Sequence, residues 1–276
     1  MRYFSMLIYF NFAFATLGFF QPALRAEADL QSLFAELVQT SSLAKRDAIL
    51  QANLGNYRTM NVTNDIPTLV KYFKGSDEYL SVKAGLILIG LCTFQSRSLP
   101  VVSDAFAEIE FRVDTGSVEQ KKIAMVLIEK ASVPLSTRSR AAIESNLYCG
   151  NPETEMVAIQ TLSSARPVEA SSIQALLMKM DSYDQRLLPT VIRALGATGD
   201  SSDLVIERLA NELRNSNESV RQSAAEVLGE IGSPAKLRSE AALKRLIVDP
   251  ETNDLTRQTA AFALKRIERD RKPLPR

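Results

Sequence analysis

The sequence predicts an all-α solenoid of about six to seven helix pairs, on three observations. One short pattern keeps returning. Val220-Arg221, Ala224-Ala225, Leu228-Gly229 and Ile231-Gly232 recur as Thr256-Arg257, Ala260-Ala261, Leu264 and Ile267, and the same frame runs upstream through Leu187, Val191-Ile192, Leu195-Gly196 and Gly199. The central leucines Leu88, Leu127, Leu162, Leu195, Leu228 and Leu264 lie 39, 35, 33, 33 and 36 residues apart. That period belongs to a repeat array, in which each unit buries its apolar face against its neighbours. Finally, apolar residues recur at helical spacing, and no segment alternates with a period of two for long enough to be a strand.

The elements follow in chain order. Residues 1–28 read as a cleaved signal peptide: Arg2 gives a positive start, Met6 to Phe20 is mostly apolar, and Ala26-Glu27-Ala28 offers a small-x-small cleavage site. An uncleaved anchor is the competing reading, but an apolar core of about 15 residues falls short of the roughly 20 that span a bilayer. Residues 29–268 then parse as helix pairs over 29–57, 64–93, 99–132, 135–165, 170–199, 202–232 and 238–268. The sixth pair shows the logic. Asp203 is placed to cap a helix with Val205, Ile206, Leu209 and Leu213 on one stripe. Asn217 caps a second helix that carries Val220, Ala224, Val227, Leu228 and Ile231 on one side. Gly232, followed by Ser233-Pro234, ends it. Gly85 and Gly90 sit inside an apolar helix and are expected to allow close packing. Residues 269–276 read as a disordered C-terminal tail.

This second-helix pattern resembles that of a HEAT repeat, well over 184–268, fairly over 64–165 and weakly over 29–57. The resemblance implies a right-handed α-solenoid, armadillo-like in build, that serves as a protein-binding scaffold. It also implies a structural role for Arg221 and Arg257, which stand at the family's basic position and there pair with groups in adjacent turns.

Composition narrows the chemistry. The chain contains no histidine, which removes serine–histidine and cysteine–histidine hydrolases, histidine-ligated zinc, and the histidine-rich di-iron site of one enzymatic branch of HEAT-like proteins. With 33 basic and 32 acidic residues, loss of Arg2, Arg25 and Glu27 with the leader leaves a net charge of zero. A nucleic-acid binder would show a basic surplus. Cys92 and Cys149 are the two cysteines. One complete helix pair separates them, too far for a bridge between packed helices, so both are expected to be buried thiols. Asp249 to Asp254 superficially suggests a calcium loop but lacks the glycine at its sixth position and the glutamate at its twelfth, so it reads as a capped turn. Asn217-Glu218-Ser219 fits a glycosylation sequon but is better explained as a helix cap. No catalytic residue, metal or cofactor is expected.

One surface carries information. In HEAT arrays the second helices line the concave wall, and the positions opposite Val220, Ala224 and Leu228 are Gln222, Glu226 and Gly229. Carried along the period, the frame gives Gln258, Phe262 and Lys265, then Pro189, Arg193 and Gly196, then Met156, Gln160 and Ser163. Further upstream it gives Lys121, Met125 and Ile128, then Val82, Leu86 and Ile89. The candidate partner-binding residues are Val82, Leu86, Ile89, Lys121, Met125, Ile128, Met156, Gln160 and Arg193. The strip is apolar in its N-terminal half, and that half is either a groove for a partner or covered internally. The expected function is an exported, periplasmic or secreted, non-enzymatic scaffold binding a protein or peptide partner on its concave face. The alternative is a binding module or accessory subunit for a small apolar ligand or lipid in the same groove. Nucleic acid is not an expected partner, nor is stable membrane insertion expected after cleavage.

Overall fold

The computed structural model describes residues 30–53, 62–94, 106–131, 134–182 and 185–269. The export segment, and residues 270–276 of the expected tail, lie outside them. Among the described residues the chain forms fourteen α-helices and no strand, arranged as seven consecutive pairs. No described helix is long and apolar enough to cross a membrane. The chain divides into two compact units at Val133–Pro134.

The first unit holds three pairs: α1 (Leu30–Gln39) with α2 (Leu43–Asn53), α3 (Val62–Phe73) with α4 (Glu78–Phe94), and α5 (Phe106–Thr115) with α6 (Val118–Ala131). The second helices α4 and α6 pack directly on each other, while α3 covers α4 and α5 covers α6. Leu69, Phe73, Leu80, Ala84, Leu88, Ile109, Val113 and Leu127 are fully buried between these layers. Gly85 permits the α4–α6 approach, because a Cβ there would lie 2.4 Å from Ile123 Cγ2 and 2.9 Å from the Phe73 ring. Gly90 does not share this role: nothing stands within 4 Å of where its Cβ would be.

The second unit holds four pairs: α7 (Thr137–Asn146) with α8 (Pro152–Ser164), α9 (Ala170–Met180) with α10 (Leu188–Thr198), α11 (Asp203–Glu212) with α12 (Glu218–Ile231), and α13 (Lys236–Val248) with α14 (Asp254–Arg269). Helices α8, α10, α12 and α14 form one layer, each packed on the next, and each first helix packs on its own partner. The recurrent Leu-Gly pair explains the tight stacking. A Cβ on Gly196 would meet both Val227 methyls at 2.9 Å, and one on Gly229 would lie 2.8 Å from Ala263 Cα. Gly196 and Gly229 are therefore contact points between successive second helices, not positions of the open wall.

Local signals read from the sequence hold with one change of cap. Asn217 Oδ1 accepts from Ser219 N at 2.9 Å and opens α12. Gly232, with φ of 76°, ends it in a backbone region that favours glycine. Asn253 Oδ1 accepts from Thr256 N at 2.8 Å, so the acidic run before α14 is a capped turn. At α11 the capping side chain is Ser202, not Asp203, which stands one residue inside the helix. Serine's short hydroxyl reaches the Val205 amide, and the acid behind it complements the helix dipole. Arg221 bonds to Asn215 O and Ser216 O at 2.8 and 2.9 Å and to Glu218 at 2.8 Å. Arg257 repeats the arrangement on Thr252 O and Asp254, both at 2.8 Å.

Candidate functional site

The wall expected to bind a partner is the face of the second helices turned away from the first. In the second unit it is open at repeat-equivalent positions. Gln160, Arg193, Glu226 and Phe262 form one row and Met156, Pro189, Gln222 and Gln258 a second, all half-buried or exposed. Ser163, in the frame of Gly196 and Gly229, is buried. Met156, Gln160 and Arg193 therefore stand on the open face.

The first unit departs from expectation. Met125 is 0% exposed and Ile128 3% exposed, so both are core residues and neither lines a wall. The cause is a one-residue slip of frame in the third pair. Helix α6 leaves Glu119, Lys122 and Val126 accessible, as α12 leaves Ser219, Gln222 and Glu226. The counterpart of Leu228 is therefore Ile128, not Leu127. The slip was hard to see because Val220's counterpart is then Gln120, a buried polar residue. Gln120 is held by a network of its own: its Nε2 donates to Ser81 Oγ at 2.9 Å, and its Oε1 accepts from Ser117 N at 2.9 Å. Lys121 is half-buried on the flank of α6. On α4, Val82, Leu86 and Ile89 are half-buried, between the core positions Ala84, Ile87 and Leu88.

Charges away from the open face are used to join repeats. Arg208 pairs with Asp181, and Arg238 with Asp203 at 3.1 Å and Glu207 at 3.4 Å, linking successive pairs. Arg140 pairs with Glu169. In the first unit Arg46 meets Asp77 at 2.8 Å and Lys83 meets Asp47 at 2.8 Å. The Tyr79 ring has both cations near it, the Arg46 guanidinium at 5.5 Å and Lys83 Nζ at 5.1 Å from its centre, and its hydroxyl donates to Asp47 at 2.7 Å. The hydrogen bonds from Lys83 and Tyr79 hold the Asp47 carboxyl below its usual range. Burial, and then the bond to Asp47, push the Tyr79 phenol up.

One ion pair is buried outright and was not foreseen. Lys179 and Glu155 side chains are 3% and 8% exposed, with Nζ 2.8 Å from Oε2. Lys179 also donates to Leu147 O at 2.5 Å and lies 4.7 Å from the centre of the Tyr148 ring. Glu155 Oε1 accepts from Gly150 N at 2.9 Å. Every contact runs to the α7–α8 turn, so the pair staples that loop. Its sequence signal was an acid and a base at buried helix positions 24 residues apart, which only the packing of α8 and α9 makes meaningful. The cysteines divide: Cys92 is buried as expected, but Cys149 is exposed in this turn, and both are free thiols. Position 149 follows the end of α7 and carries no helix stripe to bury it.

No protein-family model matches the chain, and no curated protein matches it. Solved structures do. A designed armadillo repeat protein in complex with the peptide (KR)4 is 16% identical with a TM-score of 0.57, over 73% of this chain and 99% of that one. An engineered protein is 18% identical with a TM-score of 0.56, over 76% of this chain and 98% of that one. A second engineered protein is 19% identical with a TM-score of 0.54, over 86% and 67%. At this identity the likeness is one of fold: the chain is an all-α helical-repeat solenoid.

Proposed function

We propose that the chain is an exported, non-enzymatic scaffold of the HEAT type that holds a protein or peptide partner on the concave face formed by its second helices. The observation that carries this reading is the row Gln160, Arg193, Glu226 and Phe262, repeat-equivalent side chains left accessible on successive second helices of the second unit. The peptide held by a designed armadillo neighbour supports it by analogy of fold. In the first unit, taken by itself, Val82, Leu86 and Ile89 form the proposed surface with Lys121 on its flank; Met125 and Ile128 do not belong to it. A second reading, an apolar small ligand or lipid, is favoured by the half-buried cluster of Val82, Leu86 and Ile89 on α4.

The test places a photoreactive residue at Gln222 on the open face and, as control, at Asn211 on the outer side of α11. Irradiation in the native cells is expected to give a discrete protein adduct from Gln222 alone. Equal adducts from both sites, or none from Gln222, would refute the scaffold. Bound lipid extracted from the purified protein, and lost with Leu86→Asp, would establish the second reading. N-terminal sequencing of the exported protein tests cleavage after Ala28.

A further inference from the structure

Helix α13 is apolar on two sides. One side, with Leu243 and Leu246, is buried. The other faces solvent: Leu237 at 93% and Val248 at 77% are the most exposed large apolar side chains among the described residues, and Ala241 between them is exposed too. At 3.6 residues per turn, eleven residues make almost whole turns and rise about 16.5 Å, so Leu237 and Val248 mark the two ends of one line along the helix.

Repeat equivalence identifies that side. Val205 and Leu209 on α11 correspond to Ser239 and Leu243 on α13, all four buried. Asp203, Glu207, Asn211 and Arg214 then correspond to Leu237, Ala241, Arg245 and Val248. All eight are exposed, although α13 packs on α11, so this is the outer side of the first helices and not the open end of the array. On α9 the same row reads Ala170, Gln174, Met178 and Asp181. Of the three helices only α13 carries a large apolar residue at both ends.

The charges around the line are graded. Arg238 reaches Asp203 at 3.1 Å and Glu207 at 3.4 Å, which joins α11 and α13 at their N-terminal ends and leaves two carboxylates to one guanidinium. Arg214 and Arg245 are exposed toward the C-terminal ends. Lys236 and Lys244 lie on the other flank of α13 and both pair with Glu240, at 3.8 and 2.6 Å. Arg208 is held by Asp181, Glu212 accepts from Asn215 at 2.8 Å, and Asp249 accepts from Glu251 N at 3.0 Å. The α11 row therefore runs from acid to base while the α13 row begins and ends apolar, and each row is complementary to its own reverse.

We propose that the outer side of α11 and α13 is a homodimer interface, on which a second copy of the chain packs antiparallel about a two-fold axis. Leu237 meets Val248 of the partner subunit, Asp203 meets Arg214 of the partner subunit, and the small Ala241 near the midpoint permits close approach. A two-fold interface uses one patch twice and needs this reciprocity. The exposed carboxylates of the row disfavour an anionic bilayer as the occupant. The inference is independent of the scaffold reading, and pairing through first helices leaves the second-helix wall free in each copy.

Sedimentation velocity on the purified protein at about 1–100 µM tests it, with reductant present so that exposed Cys149 forms no bridge. A concentration-dependent doubling of mass is expected. Leu237→Glu and Val248→Glu, each at an exposed position, should weaken the dimer at least about thirtyfold, because every change enters the interface twice. Far-ultraviolet circular dichroism should stay unchanged. Arg214→Asp should weaken the dimer about tenfold, and adding Asp203→Asn, which removes the opposing acid, should recover part of that loss. In a Cys149→Ser background, a short bismaleimide should join Leu237→Cys protein to Val248→Cys protein in a mixture, and should join neither to itself. A protein monomeric throughout the range, a dimer indifferent to Leu237→Glu and Val248→Glu, or linkage of Leu237→Cys copies to each other would overturn the proposal. So would a monomer that binds phosphatidylcholine–phosphatidylserine vesicles and loses them with Leu237→Glu, which would make the face a membrane surface. Asn211 lies on this side, so a photo-adduct of the chain with itself from Asn211 has twice the chain's mass and is told apart from capture of another protein at Gln222.

Discussion

Glycine to alanine should change sign between two helices of this chain, and the geometry says by how much. In the interior of a helix, alanine is favoured over glycine by about 0.8–1.0 kcal/mol. At Gly90 on α4 nothing stands within 4 Å of the added carbon, so Gly90→Ala should stabilise its helix by about 0.5–1 kcal/mol. At Gly229 the same carbon would lie 2.8 Å from Ala263 Cα and 2.9 Å from Ala263 Cβ. Comfortable carbon–carbon separation is about 3.5–4.0 Å. Ala263 is packed through its backbone and cannot rotate aside, so α12 and α14 must separate by more than half an ångström. Overpacking of this kind costs about 1–3 kcal/mol. Offset by the helix propensity, Gly229→Ala should destabilise by about 1 kcal/mol. The two sites lie in different units, so amide hydrogen exchange read on peptides from α4, α12 and α14 is the appropriate assay. Protection should rise in α4 for the first variant and fall in α12 and α14 together for the second. Increased protection of α12 in Gly229→Ala would refute the stacking argument and with it the assignment of Gly229 to the repeat interface.

Two further predictions follow from buried charge. Lys179→Met leaves Glu155 buried without its cation and should cost on the order of 3–5 kcal/mol in urea unfolding. The double change Lys179→Met with Glu155→Gln keeps an acceptor for Gly150 N and should recover more than half of that loss; equal losses in single and double variants would mean the pair does not act as a unit. Glu144 concerns pH. Burial pushes its carboxyl above the usual glutamate value, with Arg140 opposing, and its Oε1 is buried without a hydrogen-bond partner. A group raised in the folded state binds protons more readily there than when unfolded, so its contribution is greatest in acid and is lost as pH rises through the folded value. Glu144→Gln removes that loss. Its stability relative to the parent should improve from acid to neutral pH, and a constant difference across that range would contradict the burial argument.

The helix pairs were legible because their signal is local. Period, stripe and cap are each written within about thirty residues, as Asn217, Val220, Leu228 and Gly232 show for α12. In the second unit the first two positions of each strip were legible on the same terms, but the third was not: Gly196 and Gly229 are stacking points and Ser163 is buried. The wall was misread in α6, where Met125, Leu127 and Ile128 all qualify as the central apolar residue. One residue of slip turns a helix by about 100°, which is enough to exchange core for wall. Glycine's two roles were indistinguishable in the same way: Gly85 and Gly90 sit in the same apolar helix, but only Gly85 faces another helix closely.

The sequence by itself determined that the chain is a helical repeat array and that it holds no histidine, because these depend on composition and on patterns a few residues apart. Only the tertiary structure decided which side of each second helix is open. It also decided that Gly196 and Gly229 are stacking points, and that Lys179 and Glu155 meet in the interior. Those outcomes depend on the rotation of one helix against another. That rotation is set by packing between residues some thirty positions apart, and no single helix records it.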